Sequence, residues 1–415
     1  MSIARLGGLW GGGATKRKGS VSNNDGPDEA ETSVLDEEQG SIIMSLISQL
    51  KIGMDLNKVS FPTFVLEPRS MLERITDFMS HPELVFGADQ EEEAEERFLR
   101  VLTYYLSGWH AKPKGVKKPY NPVLGEFFRC RYDYGDGTRG YYIAEQGPSS
   151  DISQAKTDPA AVSHHPPISA YFYISPANRL CISGELKPKS RFLGNSVSTN
   201  MEGENRVYLL GRPNDGAYSL GFPNMYARGI LFGSMILELG DTCLAVNDNT
   251  GMSCSLEFKV KGYFSGTYNA ISGRVKKGDV EVGEISGKWN TQMHYTDLQT
   301  GERRELFDAT RAPIMPKTCL PEDKQEKHES RRLWSQLSTA IKNKDMEAAT
   351  TAKSAVENEQ REQAYKRDEL GITHEPRFFK IQPDGRWVPK IQIPEDPVEA
   401  EKCVQQWIWG PHLEF

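Results

Sequence analysis

The chain has 415 residues, enough to bury a sizeable core in one large domain or two ordinary ones. A hydrophobic content of 38% and a charged content of 26% argue against a wholly disordered chain, and a net charge of −7 gives no support for general nucleic-acid binding. No run approaches the roughly 18 continuous apolar residues of a membrane span. The N-terminus lacks the compact apolar stretch of a signal peptide. The six cysteines form neither a CxxC pair nor a ligand cluster. Reduced thiols in a cytoplasmic protein are therefore expected, with no metal and no cofactor.

Residues 1–40, with Gly11-Gly12-Gly13 and Lys16-Arg17-Lys18, read as a flexible tail. Ile42, Ile43, Leu46, Ile47 and Leu50 then form one helical stripe between Ser41 and Gly53. A lone amphipathic helix of this length needs a protein surface, a membrane or a cavity mouth to cover it. Pro62 and Pro68 bracket the extended apolar segment SFPTFVLEP. MLERITDFM is a second expected helix, and Glu91–Glu96 opens a third that runs through Phe98 to Leu106.

The segment KKPYNPVLGEFF follows. Its prolines fix the backbone beside Lys118 and Asn121 at a strand entrance, where a lysine supplies a compact charge for phosphate and an asparagine can donate or accept. A structural turn with solvated lysines is the alternative.

From about residue 120 to 290, short alternating or aromatic runs such as GYYIAEQ, ISAYFYIS, RVYLLG, CSLEFKVKGYFSG and VGEISGKW recur between glycine turns. Many short strands without intervening long helices predict a large antiparallel sheet or barrel, with a β-sandwich as the competing architecture. Within this region lies Val162-Ser163-His164-His165-Pro166-Pro167. Adjacent strand residues point to opposite faces, so the two histidines make a poor bidentate metal site. They make a better anion site, since imidazoles donate hydrogen bonds and gain charge beside a phosphate. A rigid turn with one histidine packed inward is the other reading. Ser163 beside His164 does not make a hydrolase triad, and no G-x-S-x-G elbow supports one.

After RAPIMP, helical patterns return in SRRLWSQLSTAIKNKD and again from Asp345 to a stop at Gly371. Lys353, Glu357 and Arg361 share one stripe of that last helix. They form either an anion site ordered by Glu357 or an exposed ion-pair ladder worth about 0.3–0.5 kcal/mol per pair. Phe378, Phe379, Trp387, Trp407 and Trp409 could staple the tail to the main body. The organisation expected is a tail at 1–40, a lid and mouth segment at 41–66, a helical region at 67–119, a β core at 120–315 and a helical, aromatic region at 316–415.

VSHHPP, KPYNPVLGE and KSAVENEQR together resemble the lipid-binding core of the oxysterol-binding protein-related proteins, and KGYFSG, SGKW and EPRFF extend the resemblance over about residues 41–415. The resemblance implies a near-complete antiparallel β-barrel around a hydrophobic lipid tunnel, with an N-terminal helical lid and a C-terminal helical subdomain. It implies a non-enzymatic carrier of phosphatidylinositol 4-phosphate, peripheral at organelle membranes or membrane contact sites. By the same resemblance Lys118, Asn121, His164, His165, Lys353 and Arg361 would contact the inositol phosphate headgroup, and Glu357 would orient the basic residues. Ile42, Ile43, Leu46, Ile47, Leu50, Phe61, Thr63, Phe64, Val65 and Leu66 would form lid and tunnel-mouth contacts. In one departure, Glu145-Gln146 is separated from Val162 by residues 147–161, whereas the family pattern joins EQ to VSHHPP directly. An outward surface loop is the simplest accommodation. PTFVLE with SMLER, and PKSRFLGNS, resemble the subgroup that carries phosphatidylserine, which makes Ser190 a candidate second-headgroup contact. Sterol as counter-cargo, a lipid sensor with little transfer and, last, a lipid hydrolase are the alternatives.

Overall fold

The computed structural model describes residues 32–34, 37–56, 62–112, 116–148, 168–230, 234–262 and 266–410. The first strand, β1 (Thr32–Val34), and the start of helix α1 (Glu37–Ser48) both fall within the stretch read as tail. The parallel pair β2 (Leu66–Ser70) and β3 (Lys118–Tyr120) brackets α2 (Met71–Arg74) and α3 (Ala94–Ser107). MLERITDFM becomes α2 followed by a tighter 3-10 turn over Ile75–Met79. Ser70 caps α2 by accepting from the Leu72 N–H.

The main sheet begins with β4 (Phe127–Asp133), β5 (Arg139–Gly147), β6 (Ile168–Ser175), β7 (Leu180–Phe192) and β8 (Ser196–Leu209). It continues through β9 (Tyr218–Leu220), β10 (Asn224–Arg228), β11 (Ser234–Asn247), β12 (Met252–Lys259) and β13 (Ala270–Lys277). The last members are β14 (Val280–Lys288), β15 (Gln292–Asp297), β16 (Arg303–Asp308) and the two-residue β17 (Lys317–Thr318). Its pairings are antiparallel meanders, as the short alternating runs predict.

The expected β-barrel is corrected here. The order of pairing is an open path, β16-β15-β14-β13-β12-β11-β10-β8-β7-β6-β5-β4-β17, with β1 and β9 attached to its side. β16 and β17 are its two edges and do not pair with each other, so the architecture is a large open sheet with flanking helices. Closure needs an edge-to-edge ladder, and here both edges are short and carry charged or helical cover instead, which also protects an open edge. Arg304 of β16 reaches Glu96 of α3 at 2.7 Å, and Lys317 of β17 reaches Glu73 of α2 at 3.3 Å.

Two faces of the sheet are buried differently. On β12, Met252, Cys254, Leu256 and Phe258 point into the core while alternate residues are more exposed. All eight residues of β6 are buried. Tyr171 and Tyr173 join the main core with α3, while Ile168, Ala170, Phe172 and Ile174 pack on the other face against Phe378, Phe379, Val404 and Ile408. The unbroken apolar run of β6 is therefore a strand covered on both sides. The covering comes from the C-terminal part of the chain, β18 (Phe379–Ile381), β19 (Trp387–Pro389) and the helix at Pro397–Trp409.

Before that cover, SRRLWSQLSTAIK forms two helices rather than one, α4 (Ser330–Leu333) and α5 (Ser335–Lys342). The break falls at Trp334, whose indole N–H donates to the buried Glu126 carboxylate at 2.9 Å. The next helix, α6 (Met346–Leu370), starts and stops where expected. The Asp345 carboxylate accepts from the Ala348 N–H, and Gly371 adopts a left-handed φ of 64°. The C-terminal helix over Pro397–Trp409 is α7. Among the described residues no helix is long and apolar enough to cross a membrane.

Candidate functional site

A cavity of about 260 Å³ opens between the concave face of β7, β8, β10 and β11 and the segments at 71–78, 108–112 and 116–121. Most of its wall is apolar: Leu186, Val197, Met201, Met225, Leu237 and Leu239 come from the sheet, and Ile75, Phe78 and Trp109 from the opposite side. Ile43 of α1 and Val65 complete the wall. Three of its polar lining residues, Lys117, Lys118 and Asn121, come from one short segment.

That segment is held in place by its own motif. β3 pairs in parallel with β2, Lys118 opposite Leu66, so the 62–66 segment runs beside the lysines. The Lys117 ammonium donates to the Phe64 carbonyl at 2.7 Å. The Lys118 ammonium donates to the Asn121 side-chain oxygen. Burial, with the Lys353 ammonium nearby, lowers the Lys118 pKa to about 8, while the Glu357 carboxylate acts in the opposite sense. Burial alone lowers that of Lys117.

Behind this rim the chain turns at Gly125, with a left-handed φ of 78°. The Gly125 N–H donates to the Gln146 carbonyl at 2.9 Å, and the Gln146 N–H returns a bond to the Glu126 carbonyl at 2.8 Å. The Glu126 carboxylate is fully buried and accepts four bonds, from the Ser70 and Ser330 hydroxyls, the Trp334 indole and the Val123 N–H. Burial still raises its pKa, against the effect of those donors. One carboxylate thus joins the β2–α2 junction, the KPYNP turn and the α4–α5 break.

Each expected site residue has a definite place, except those outside the described residues, which are Phe61, His164 and His165. The loop at 149–161 within the insertion also lies outside them. Lys118, Asn121, Ser190, Val65 and Ile43 come together on the cavity wall. The Ser190 hydroxyl there bonds the Thr199 hydroxyl at 2.8 Å. Lys353 pairs with Glu357 at 3.2 Å on α6, close enough to Lys118 for both charges to act on it. Arg361 is exposed, one turn further on, and its guanidinium bonds the Glu357 carbonyl and the Asn358 side chain. Of the α1 stripe, Ile43 is buried, Leu46, Ile47 and Leu50 are half-buried, and Ile42 is 42% exposed. Thr63 is buried with its hydroxyl on the Met346 sulfur, and Leu66 packs with Tyr120, Val123 and Trp334.

The sequence reading missed four charged residues on the cavity wall. Lys117 was legible only as part of a doublet. Lys112 stands 5.9 Å over the Trp289 ring, and a separation of 177 positions hides the pair. Arg74 and Asp77 form an ion pair at 3.0 Å within a network that includes Glu67 and Arg69. Among the described residues no cluster of His, Cys, Asp or Glu could hold a metal ion. The described wall is largely apolar, with Lys112, Lys117 and Lys118 among its charged residues.

The family described as Oxysterol-binding protein matches residues 45–339. An oxysterol-binding protein homolog of Schizosaccharomyces pombe is 43% identical over 377 residues, covering 88% of this chain and 76% of its own. Oxysterol-binding protein homolog 7 of Saccharomyces cerevisiae is 42% identical over 355 residues, covering 83% and 77%. Among solved structures, the Osh1 ORD domain in complex with cholesterol superposes with a TM-score of 0.70 at 23% identity, covering 90% of each chain. The Osh3 ORD in complex with PI(4)P, from Saccharomyces cerevisiae, gives 0.63 at 20% identity and covers 90% of this chain and 94% of that one. These likenesses extend to the fold, and none singles out a phosphatidylserine-carrying subgroup.

Proposed function

The chain belongs to the oxysterol-binding protein family, whose members bind and transfer lipids rather than catalyse a reaction, and on that premise we propose that it exchanges a sterol for phosphatidylinositol 4-phosphate between membranes. The observation that carries this reading is the cavity itself, apolar over most of its wall, with Lys112, Lys117 and Lys118 among its charged residues. Its volume of about 260 Å³ lies near the lower end of small-molecule sites, which span about 300–1,000 Å³. Sterol as the counter-cargo is supported by the likeness of the fold to the Osh1 ORD domain in complex with cholesterol. Each methylene shielded from water contributes about 0.8 kcal/mol, so enclosure lowers the barrier to crossing an aqueous gap.

For the phosphoinositide, Lys118, Asn121, Lys353 and Arg361 would meet the headgroup together with His164 and His165, and Glu357 would orient the cations. Support comes from the charge coupling of Lys353 and Glu357 to Lys118. It also comes from the ends of the β5–β6 hairpin. Ile168, three residues after His165, pairs with Gly147, and the neighbouring Gln146 is bonded to the turn after Asn121. α1 and the 62–66 segment would act as the lid, with Ile43 and Val65 as its contacts to cargo. Phosphatidylserine is the second reading of the counter-cargo, supported by the Ser190 hydroxyl on the cavity wall.

The test is competitive loading from liposomes that contain ergosterol or cholesterol, phosphatidylserine and phosphatidylinositol 4-phosphate, with mass spectrometry of the extracted lipid. Sterol and phosphoinositide are expected; phosphatidylserine without sterol would select the second reading. The double variant His164→Ala, His165→Ala is expected to lose phosphoinositide extraction by at least about 100-fold while its circular dichroism is unchanged, since each charged hydrogen bond contributes roughly 1.5–3 kcal/mol. Unchanged extraction by the folded variant rejects the headgroup assignment. Transfer kinetics between donor and acceptor liposomes separate an exchanger from a sensor, which would load lipid but fail to deliver it.

A further inference from the structure

Two cysteines 189 positions apart meet across the sheet edge. β17 pairs with β4 in a register that sets Lys317 opposite Tyr132 and Thr318 opposite Arg131. Continued by one residue, that register sets Cys319 opposite Cys130. Residues directly opposite in an antiparallel ladder have Cα atoms about 4.5–5.5 Å apart and side chains on one face. This lies inside the roughly 4.4–6.8 Å that a disulfide spans. Both are free thiols here, Cys130 buried and Cys319 half-buried.

The surroundings of the pair divide the two roles. Lys317 and Arg331 flank Cys319, both held by Glu73, at 3.3 and 2.7 Å, and both lie over the Phe128 ring. A partly exposed thiol between two fixed cations is the environment of a reactive cysteine. Hydrogen bonding from the Cys130 thiol, and then the Arg331 and Lys317 charges, hold the Cys319 thiol below its ordinary pKa. Burial pushes Cys130 the other way, and it pushes Cys181, also half-buried, up to about 12.

We propose that Cys319 and Cys130 are the reactive and resolving thiols of an oxidant-responsive disulfide that staples β17 to β4. With hydrogen peroxide as oxidant, the Cys319 thiolate attacks one peroxide oxygen, the O–O bond breaks and hydroxide leaves. The Cys130 sulfur then attacks the Cys319 sulfenic acid. Its proton goes to the departing oxygen, water leaves and the S–S bond forms. Two thiols are oxidised by two electrons in total and one peroxide is reduced to two waters, counting the proton taken up by the first hydroxide. The bridge would fix the strand that carries Lys317 against the sheet, beside Glu73 and Thr76 and next to the Arg74–Phe78 stretch of the cavity wall. The inference is independent of which lipid the cavity holds.

The test treats the reduced, full-length chain with limiting hydrogen peroxide and maps disulfides by mass spectrometry without reduction. The expected result is one dominant bridge, Cys130 to Cys319, lost on adding dithiothreitol and absent in Cys319→Ser. In Cys130→Ser the sulfenic acid at Cys319 should persist and be captured by dimedone. At neutral pH, Cys319 should be alkylated about tenfold faster than Cys181. Oxidation that spreads over Cys181 and Cys403 without a 130–319 bridge overturns the proposal. So does Cys319 running on to sulfinic acid in the unsubstituted chain. If Cys130→Ser does not fold, the bridge map and the Cys319→Ser variant still decide it.

Discussion

Lys118 and Glu126 lie in one motif, and the fold treats their charges in opposite ways. Glu126 is sealed in, and four donors from three parts of the chain converge on its carboxylate. Lys118 is half-buried at the cavity wall with the Asn121 oxygen as its acceptor and a like charge, Lys353, nearby. Buried polar groups that serve only the fold are satisfied within it. A desolvated cation close to another cation is costly and is relieved by an anion. The comparison separates a carboxylate satisfied within the fold from a lysine left beside a like charge on the cavity wall.

The largest expected effect lies on the structural side. Glu126→Ala removes the shared acceptor and strands the Ser70, Val123 and Trp334 donors, while the Ser330 hydroxyl keeps the Phe127 carbonyl, so denaturant unfolding should show a loss of about 3 kcal/mol. A loss under 1 kcal/mol would break the contrast. Lys118→Met should do the reverse. Its folded pKa of about 8 lies below the ordinary lysine value, so the folded state binds that proton less tightly than the unfolded chain. Native stability from this group therefore rises as pH climbs from about 8 through the ordinary lysine range, and at neutral pH the charge is a cost. The methionine variant should be at least as stable as the parent at pH 7, with the difference fading above pH 8. Its phosphoinositide uptake should fall about tenfold, the loss of one charge-assisted bond. A destabilised variant with full uptake would assign Lys118 to the structural class instead.

A second comparison lies within α1. Ile43 lines the cavity and is buried, whereas Ile42 is 42% exposed. Ile43→Ala should raise the off-rate of bound lipid roughly tenfold, for the loss of about 1–2 kcal/mol of apolar contact, while Ile42→Ala should leave it within about twofold. Equal off-rates would make α1 an outer latch rather than a lid. The smallest effect is expected at Ser190. Ser190→Ala removes one hydroxyl of a pair and should change sterol loading by less than about twofold. A selective loss of phosphatidylserine loading, read by mass spectrometry, would sharpen the cargo reading in that lipid's favour.

What was legible in the sequence was local. The bounds of α6 follow from Asp345 and Gly371, because a cap and a left-handed stop act on their own few residues. The strand-rich middle followed from alternation and turn residues, and ISAYFYIS from its length and aromatic content. The motifs around Lys118 were found because prolines and glycine mark them in the chain. The break at Trp334 was not legible, since the helical pattern runs straight through it and the indole's partner, Glu126, lies 208 positions away. Nor was the openness of the sheet, because each strand's pattern specifies which face is buried and not whether the last strand meets the first. The choice of Ile43 over Ile42 for the cavity depends on how α1 docks, which periodicity leaves free by one residue. The facing thiols of Cys130 and Cys319 depend on a two-residue strand too short to carry any pattern. Sequence determined most of the local elements, through caps, alternation and turn residues. The tertiary structure decided which of them share a wall, because those contacts join segments hundreds of positions apart and no local signal encodes a distant partner.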